Sequence, residues 1–461
     1  MKIKSLKTII KKMSNLKKYE TMLNDSLIQK EMHLPSGKPN DLNDKNNHLY
    51  SVHGNSKKKT LWYRSSWESM SSSNVPTNPD LVTYRSKMFP FHALHKSILT
   101  TITPKIKAKD GYEIRFCDNL FVSMIKEFRL FFNDTELQFG NEKSLFFHLN
   151  LCENRKRLFE ELGNKENLTS WCETLNPEEI SISLPWFYSK DKSSSFPLNY
   201  CGHNDRFDHS VEFSLNLENL VLIRKKDEND TLPFSKEYIE VSGNAESLPV
   251  PEMEGLYTTV TSQECEYGNC ISNNEKREIF VENIYYIEDE NEVELGKKVQ
   301  LKIDSKNNFP THSIFWGASN LTLSEKEKTP IFHFEHSLES LSPVKTSKLE
   351  SSVGIILDSK SSYKTEKSFP LIQFKKAPFY SGLNLWKNSV LLEDDPRKFT
   401  PGIKMGGGSL HVSLKDKSYD CSDKFNIFLI LNHTRKFRFA SFPRNEEERL
   451  KVGATIQLIE E

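Results

Sequence analysis

Between Ile180 and Leu220 stand four residues, His203, Asp205, Asp208 and His209, whose types suit a metal site or an acid–base pair. Imidazole and carboxylate ligate zinc and non-haem iron, and the same groups exchange protons near neutral pH. Their setting argues for something plainer. The cluster reads as a turn, where polar residues belong anyway, and no second cluster elsewhere completes a ligand set. Just after it, Val211, Phe213, Leu215 and Leu217 alternate with Glu212, Ser214, Asn216 and Glu218, the period of a strand with one dry and one wet face. His203, Asp205, Asp208 and His209 are therefore expected to form a loop between strands, with no metal bound and no chemistry performed.

Other candidates are weaker. His333 and His336 are three apart, and on one strand such positions point to opposite faces and cannot share an ion. Met405–Ser409, "MGGGS", is glycine-rich, but no Lys-Ser or Lys-Thr follows and the context is strand–turn–strand. Phosphate cradling needs a helix N-terminus, so a tight turn or bulge is expected there. There is no Gly-x-Ser-x-Gly elbow, and no pair of carboxylates stands out. The seven cysteines are odd in number and scattered; only Cys265 and Cys270 are close, and no second pair completes a zinc site, so they read as buried thiols. Catalytic residues, cofactors and metals are thus all expected to be absent.

The elements around these residues are short strands. "SILTTITPKI", "YEIRFC", "MIKEFRLFFNDTELQF", "EISISLPWFY" and "SVEFSLNL" lead a first block. "EIFVENIYYI", "VELGKKVQLKI", "THSIFWGASNLTL", "FPLIQF", "SLHVSLK", "FNIFLIL" and "RKFRFASF" make a second, and no two segments are copies. A helical stretch at 144–163 interrupts the first block. The 30 Phe and 15 Tyr against 18 Gly fit cores built from large side chains on sheets. Many strands, few helices and two blocks of similar size predict an all-β chain of two tandem antiparallel sandwiches. We divide it into a lysine-rich extension and linker at 1–89, a first sandwich at 90–226, a charged, proline-bearing connection at 227–275 and a second sandwich at 276–461. Ser71–Ser73, followed by Pro76 and Pro79, reads as linker.

Charge is balanced overall, 63 basic against 63 acidic residues, which predicts neither a nucleic-acid binder nor an acidic tail. It is unevenly spread. Residues 2–18 hold seven lysines and no acid, with Ile3, Leu6, Ile9, Ile10, Met13 and Leu16 at helical spacing, a basic amphipathic pattern suited to an anionic membrane surface. No run approaches the roughly 18 apolar residues of a membrane span, and no apolar core follows for a secretory signal.

Taken in order, the β segments resemble the major capsid protein family of nucleocytoplasmic large DNA viruses. "MIKEFRLFFNDTELQ" (124–138) is similar to the strand pair entering that family's first barrel. "LPWFYSKDKSSSFPLNYCGHNDRFDHSVEFSL" (184–215) resembles its Leu-Pro-Phe-Trp-Phe segment and the strands after it, with Leu184, Pro185, Trp186 and Phe187 matching in kind. "VPEMEGLYTTV" (250–260) resembles the Pro-Glu-x-x-Gly-x-Tyr connection of divergent mimivirus-like paralogues, and "EIFVENIYYIEDENEVEL" (278–295) the strand opening the second barrel. "NNFPTHSIFWGASN" (307–320) has Phe309 where His is usual, and "LLEDDPRKFTPGIKMGGGSLHVSL" (391–414) has His411 near the usual Asn.

The resemblance implies a double jelly roll: two similar barrels per chain, and three chains presenting six wedges that tile a shell. It implies a structural, non-enzymatic capsid subunit found in the virion and assembled in the host cytoplasm. Its partners would be itself as a homotrimer, neighbouring capsomers, minor capsid proteins and an internal anionic membrane reached through residues 1–18, with no specific nucleic acid. Alternatives are a scaffold of the same fold that is lost on maturation, and a jelly-roll sugar-binding or metal-dependent protein. Asn167 and Asn320 stand in glycosylation sequons.

Overall fold

The computed structural model describes 65–259 apart from 76–77, 90–91, 151–162 and 190–194; 278–342 apart from 290–292, 294–295, 305–309 and 334–335; and then 357–358, 383–387, 403–404, 409–414, 423–441, 447, 451 and 453–458. The lysine-rich segment 2–18 and the glycines of 405–408 lie outside these residues. Every pairing among the described strands is antiparallel.

The first barrel is built on two sheets. One runs Ser65–Ser69, Glu252–Thr259, His92–Ile102, Glu179–Ile182; the other runs Ser71–Val75, Asn78–Arg85, Phe207–Phe213, Ile125–Phe132, Thr135–Asn141. Two three-stranded sheets extend them: Thr231–Leu232, Val221–Lys225, Tyr112–Phe116, and Ile239–Val241, Ile106–Ala108, Thr174–Leu175. Tyr84, Leu94, Phe128, Val211, Phe213 and Tyr257 meet in the single core between them.

This barrel is larger than the sequence suggests. Ser71–Val75 is an edge strand rather than a linker, and the chain bends at buried Met70 so that Ser65–Val75 borders both sheets. Residues 71–74 are all exposed, so no apolar alternation marks the strand; only its pairing with Asn78–Arg85 does. Of the expected connection at 227–275, the described part, 227–259, belongs to the first barrel. Glu252–Thr259 lies inside the four-stranded sheet, and the prolines that suggested a linker are tied down: Tyr84 Oη donates to the Pro251 carbonyl at 2.6 Å and Thr101 Oγ1 to that of Pro249 at 3.0 Å. Of the helix expected at 144–163, Glu142–Asn150 is described and helical.

The second barrel has a seven-stranded and a four-stranded sheet. In the first, Glu278–Glu288, Phe425–Ser441, Pro310–Asn320 and Phe332–His333 follow in order; Leu383–Lys387 and Ile403–Lys404 add to Pro310–Asn320, and Thr455–Leu458 to Phe425–Ser441. The other runs Lys298–Lys302, Ser409–Leu414, His336–Ser342, Leu357–Asp358.

The seven-stranded sheet is dry on both faces. Ile427, Leu429 and Leu431 join Ile314, Trp316 and Ala318 inside the second barrel, against Leu301, Val412 and Leu414. The alternate residues Phe428 and Ile430, with Ile279, Val281 and Phe315, enter the first barrel's core. From Ile427 to Leu431 the strand has no polar residue, as expected of a strand covered on both sides. One sheet serves as a wall of both barrels.

Candidate functional site: the seam between the barrels

The four residues that suggested chemistry are not gathered into one site. His203 is exposed, and Asp208 pairs with Arg85 (2.9 and 3.3 Å) on the outside of the sheet. Among the described residues, no three His, Cys, Asp or Glu side chains are placed to hold a metal. His333 ends one strand and His336 begins another in a different sheet, so the two are not on one strand.

The loop reading fails for Asp208 and His209, which lie in a strand, while Asp205 stands in the turn before it and is nevertheless buried. His209 lies in the Phe207–Phe213 strand and is fully buried, as are Phe207, Val211 and Phe213 on the same face. It occupies an apolar slot of the alternation, which begins four residues before Val211. Its Nε2 is 2.7 Å from Tyr188 Oη, which is 2.9 Å from Ser97 Oγ, and the rings of Trp186, Tyr188 and Phe207 pack edge-on around it. Burial holds its pKa down to about 3, against a weaker pull from the backbone of Tyr84, so the ring is neutral at pH 7. This chain of three polar groups specifies a core and has no access to solvent.

Asp205 is 6% exposed and faces Gly453 and Ala454, which lead into the second barrel's last described strand, Thr455–Leu458. One oxygen accepts the backbone N–H of Gly202 (2.6 Å) and of Ala454 (2.7 Å); the other accepts Asn133 Nδ2 at 3.2 Å. Asn133, in the left-handed region at φ 52°, donates also to the Ala454 carbonyl at 3.2 Å. A Cβ on Gly453 would lie 2.5 Å from Asp205 Oδ1, so only glycine lets the strand approach. The carboxylate that resembled a metal ligand is a latch between the two barrels.

Three further contacts line the seam. Asn283, on Glu278–Glu288, accepts from Phe139 N–H at 2.9 Å and donates to Leu137 O at 3.4 Å, covering the edge of the Thr135–Asn141 strand as a neighbouring strand would. Glu288 accepts from Lys143, from Tyr286 Oη (2.6 Å) and from Asn426 Nδ2 (2.6 Å), while Lys143 stands over the Phe428 ring. Helix Leu321–Glu327 and its C-cap reach the first barrel through three consecutive residues: Lys326 pairs with Asp230, Glu327 with Arg115 (2.9 Å), and the C-cap Lys328 donates to the carbonyls of Glu218 and Val221. Between these polar ties, Phe147 packs on Phe315 and Phe428, and Phe439 on Phe132 and Phe196. Sequence reasoning missed these, since every contact that crosses the seam pairs positions distant in the chain, from 96 residues apart for Asp230 and Lys326 upward.

The sequon at Asn320 is closed in the folded chain. Its side chain is fully buried, caps Leu321–Glu327 by accepting from Leu323 N–H, and donates to Asp423. Asn167 is exposed.

The chain matches no protein-family model and no curated protein. Solved structures do resemble it. A quasi-atomic model of the PBCV-1 virus capsid superposes with a TM-score of 0.56 at 9% identity, covering 86% of this chain and 96% of that one. The crystal structure of PBCV-1 VP54, fitted into a reconstruction of the virophage Sputnik, gives 0.55 at 10% identity with the same coverages. The Faustovirus major capsid protein gives 0.55 at 9% identity, over 81% of this chain and 90% of that one. This chain has the double jelly-roll fold.

Proposed function

We propose that this double jelly-roll chain is a structural, non-enzymatic subunit of an icosahedral viral capsid, assembled as homotrimers of pseudo-hexagonal outline. The observation that carries the reading is the sheet dry on both faces. It locks two barrels into one block, as a lattice subunit that must transmit load from wedge to wedge requires, and it leaves Asp205, His209 and their neighbours committed to packing. The capsid and capsid-protein structures that share the fold support the reading. Its partners are two further copies within the capsomer, then neighbouring capsomers and minor capsid proteins, and its place is the virion, with assembly in the host cytoplasm.

Sedimentation velocity of the full chain at micromolar concentration, with negative-stain images of the peak, tests this. A species three times the 53.5 kDa chain mass with threefold averages is expected. A monomer with no threefold class would overturn it.

A further inference from the structure

The outer face of the four-stranded sheet is uncovered among the described residues. Register places Trp67, Leu256 and Lys96 in one row and Glu254 beside Ile98 in the next; Glu252 follows, and then Ile102 beside Glu179. Trp67 is 43% exposed and Ile102 55%, against fully buried inward neighbours such as Leu94 and Tyr257. The face is therefore apolar and acidic together; among the described residues no basic side chain pairs with the carboxylates of Glu252 or Glu254, and Lys165 reaches Glu179 only at its backbone carbonyl (2.9 Å).

We infer that this face is the docking site of the chain's own residues 2–18. The complement is direct. The segment carries seven lysines and no acid, with Ile3, Leu6, Ile9, Ile10, Met13 and Leu16 at helical spacing. An apolar stripe flanked by lysines suits an apolar strip flanked by glutamates, and the attraction gains from the low dielectric of a partly covered surface. The chain also arrives at the right place. The described residues begin at Ser65, in the edge strand that carries Trp67 and borders the face. The intervening 19–64 is 46 residues, and a random coil of that length spans about 40 Å, several times the roughly 15 Å width of four strands. The tether concentrates the segment at the face to the order of millimolar, so modest intrinsic affinity suffices. The inference concerns one chain and holds whether or not that chain trimerises.

Carbodiimide cross-linking of the full-length protein, prepared as an equal mixture of unlabelled and 15N-labelled chains, tests it. Cross-links from lysines of 2–18 to Glu252 or Glu254 are expected within one isotope label. Their yield should fall by about tenfold at 1 M salt, where the screening length shrinks to about 3 Å. The exposed pair E252K/E254K should suppress by a similar factor the cross-links from the same lysines to Glu179, whose carboxylate is untouched, while leaving the melting temperature unchanged. Deleting 2–18 should speed amide exchange in Glu252–Thr259. Cross-links that run between labels would assign the face to a second copy and overturn the inference. So would unchanged exchange after the deletion, or a segment that binds phosphatidylserine vesicles while the face stays open.

Discussion

Asp205 accepts the backbone N–H of Ala454 at 2.7 Å, joining positions 249 residues apart across the seam. Asp205→Ala strands that N–H and the one of Gly202, each left buried at a cost of about 1–3 kcal/mol. We expect a loss of about 2–5 kcal/mol in urea unfolding, with Gly453→Ala destabilising in the same direction by displacing the carboxylate. An unchanged midpoint for both would refute the latch.

His209 makes stability depend on acid. Its folded pKa, about 3, lies below the ordinary 6.5, so between these values the unfolded chain binds the proton that the folded chain refuses. His433 is held down to about 3 as well, by burial first and by Arg435 second. The contribution of these two histidines is therefore complete above pH 6.5 and is lost as pH drops toward 3. Urea midpoints measured from pH 7.5 to 4 should decline, and His209→Leu, which fills the apolar slot, should flatten the decline.

Replacing His203, Asp205 and His209 together by Ala separates the loop reading from the structure. A loop predicts a change within about 0.5 kcal/mol per residue. The structure predicts damage comparable to Phe213→Ala, about 3–5 kcal/mol, all from Asp205 and His209. The single change His203→Ala should be silent in the same thermal melt.

Phe428 and Asn283 test the shared wall from its two chemistries. Phe428→Ala opens a cavity between Phe147, Tyr286 and Phe332, for about 3–5 kcal/mol. Asn283→Ala frees the Phe139 N–H, and amide exchange in Thr135–Asn141 should accelerate while Ile125–Phe132, one strand further in, stays protected.

The fold class was legible because most strands announce themselves by period and by β-branched or aromatic composition. What escaped was decided by tertiary partners. Ser71–Ser73 has no inward side chain to reveal a strand, and Pro249 and Pro251 look like linker until Thr101 and Tyr84 bind their carbonyls. His209 hides a core position because its type is polar, although the spacing Phe207, His209, Val211, Phe213 marks it. Asp205 offered the sequence only a carboxylate in a turn; its use is set by Gly453 and Ala454, which local pattern cannot reach.

The wall shared by the barrels also orders events during synthesis. Residues 65–259 contain every strand of the first barrel, yet the apolar surface that receives Phe428, Ile430, Phe437 and Phe439 stays bare until those residues emerge. From 259 to 454 is 195 residues, about 10–40 s of translation at typical rates. For that interval the nascent chain presents a large greasy surface with its latch, Asp205, waiting for a strand not yet made. The topology therefore predicts that a chaperone shielding the half-built block for tens of seconds raises the yield of the folded chain more than any gain in the rate at which the first barrel forms.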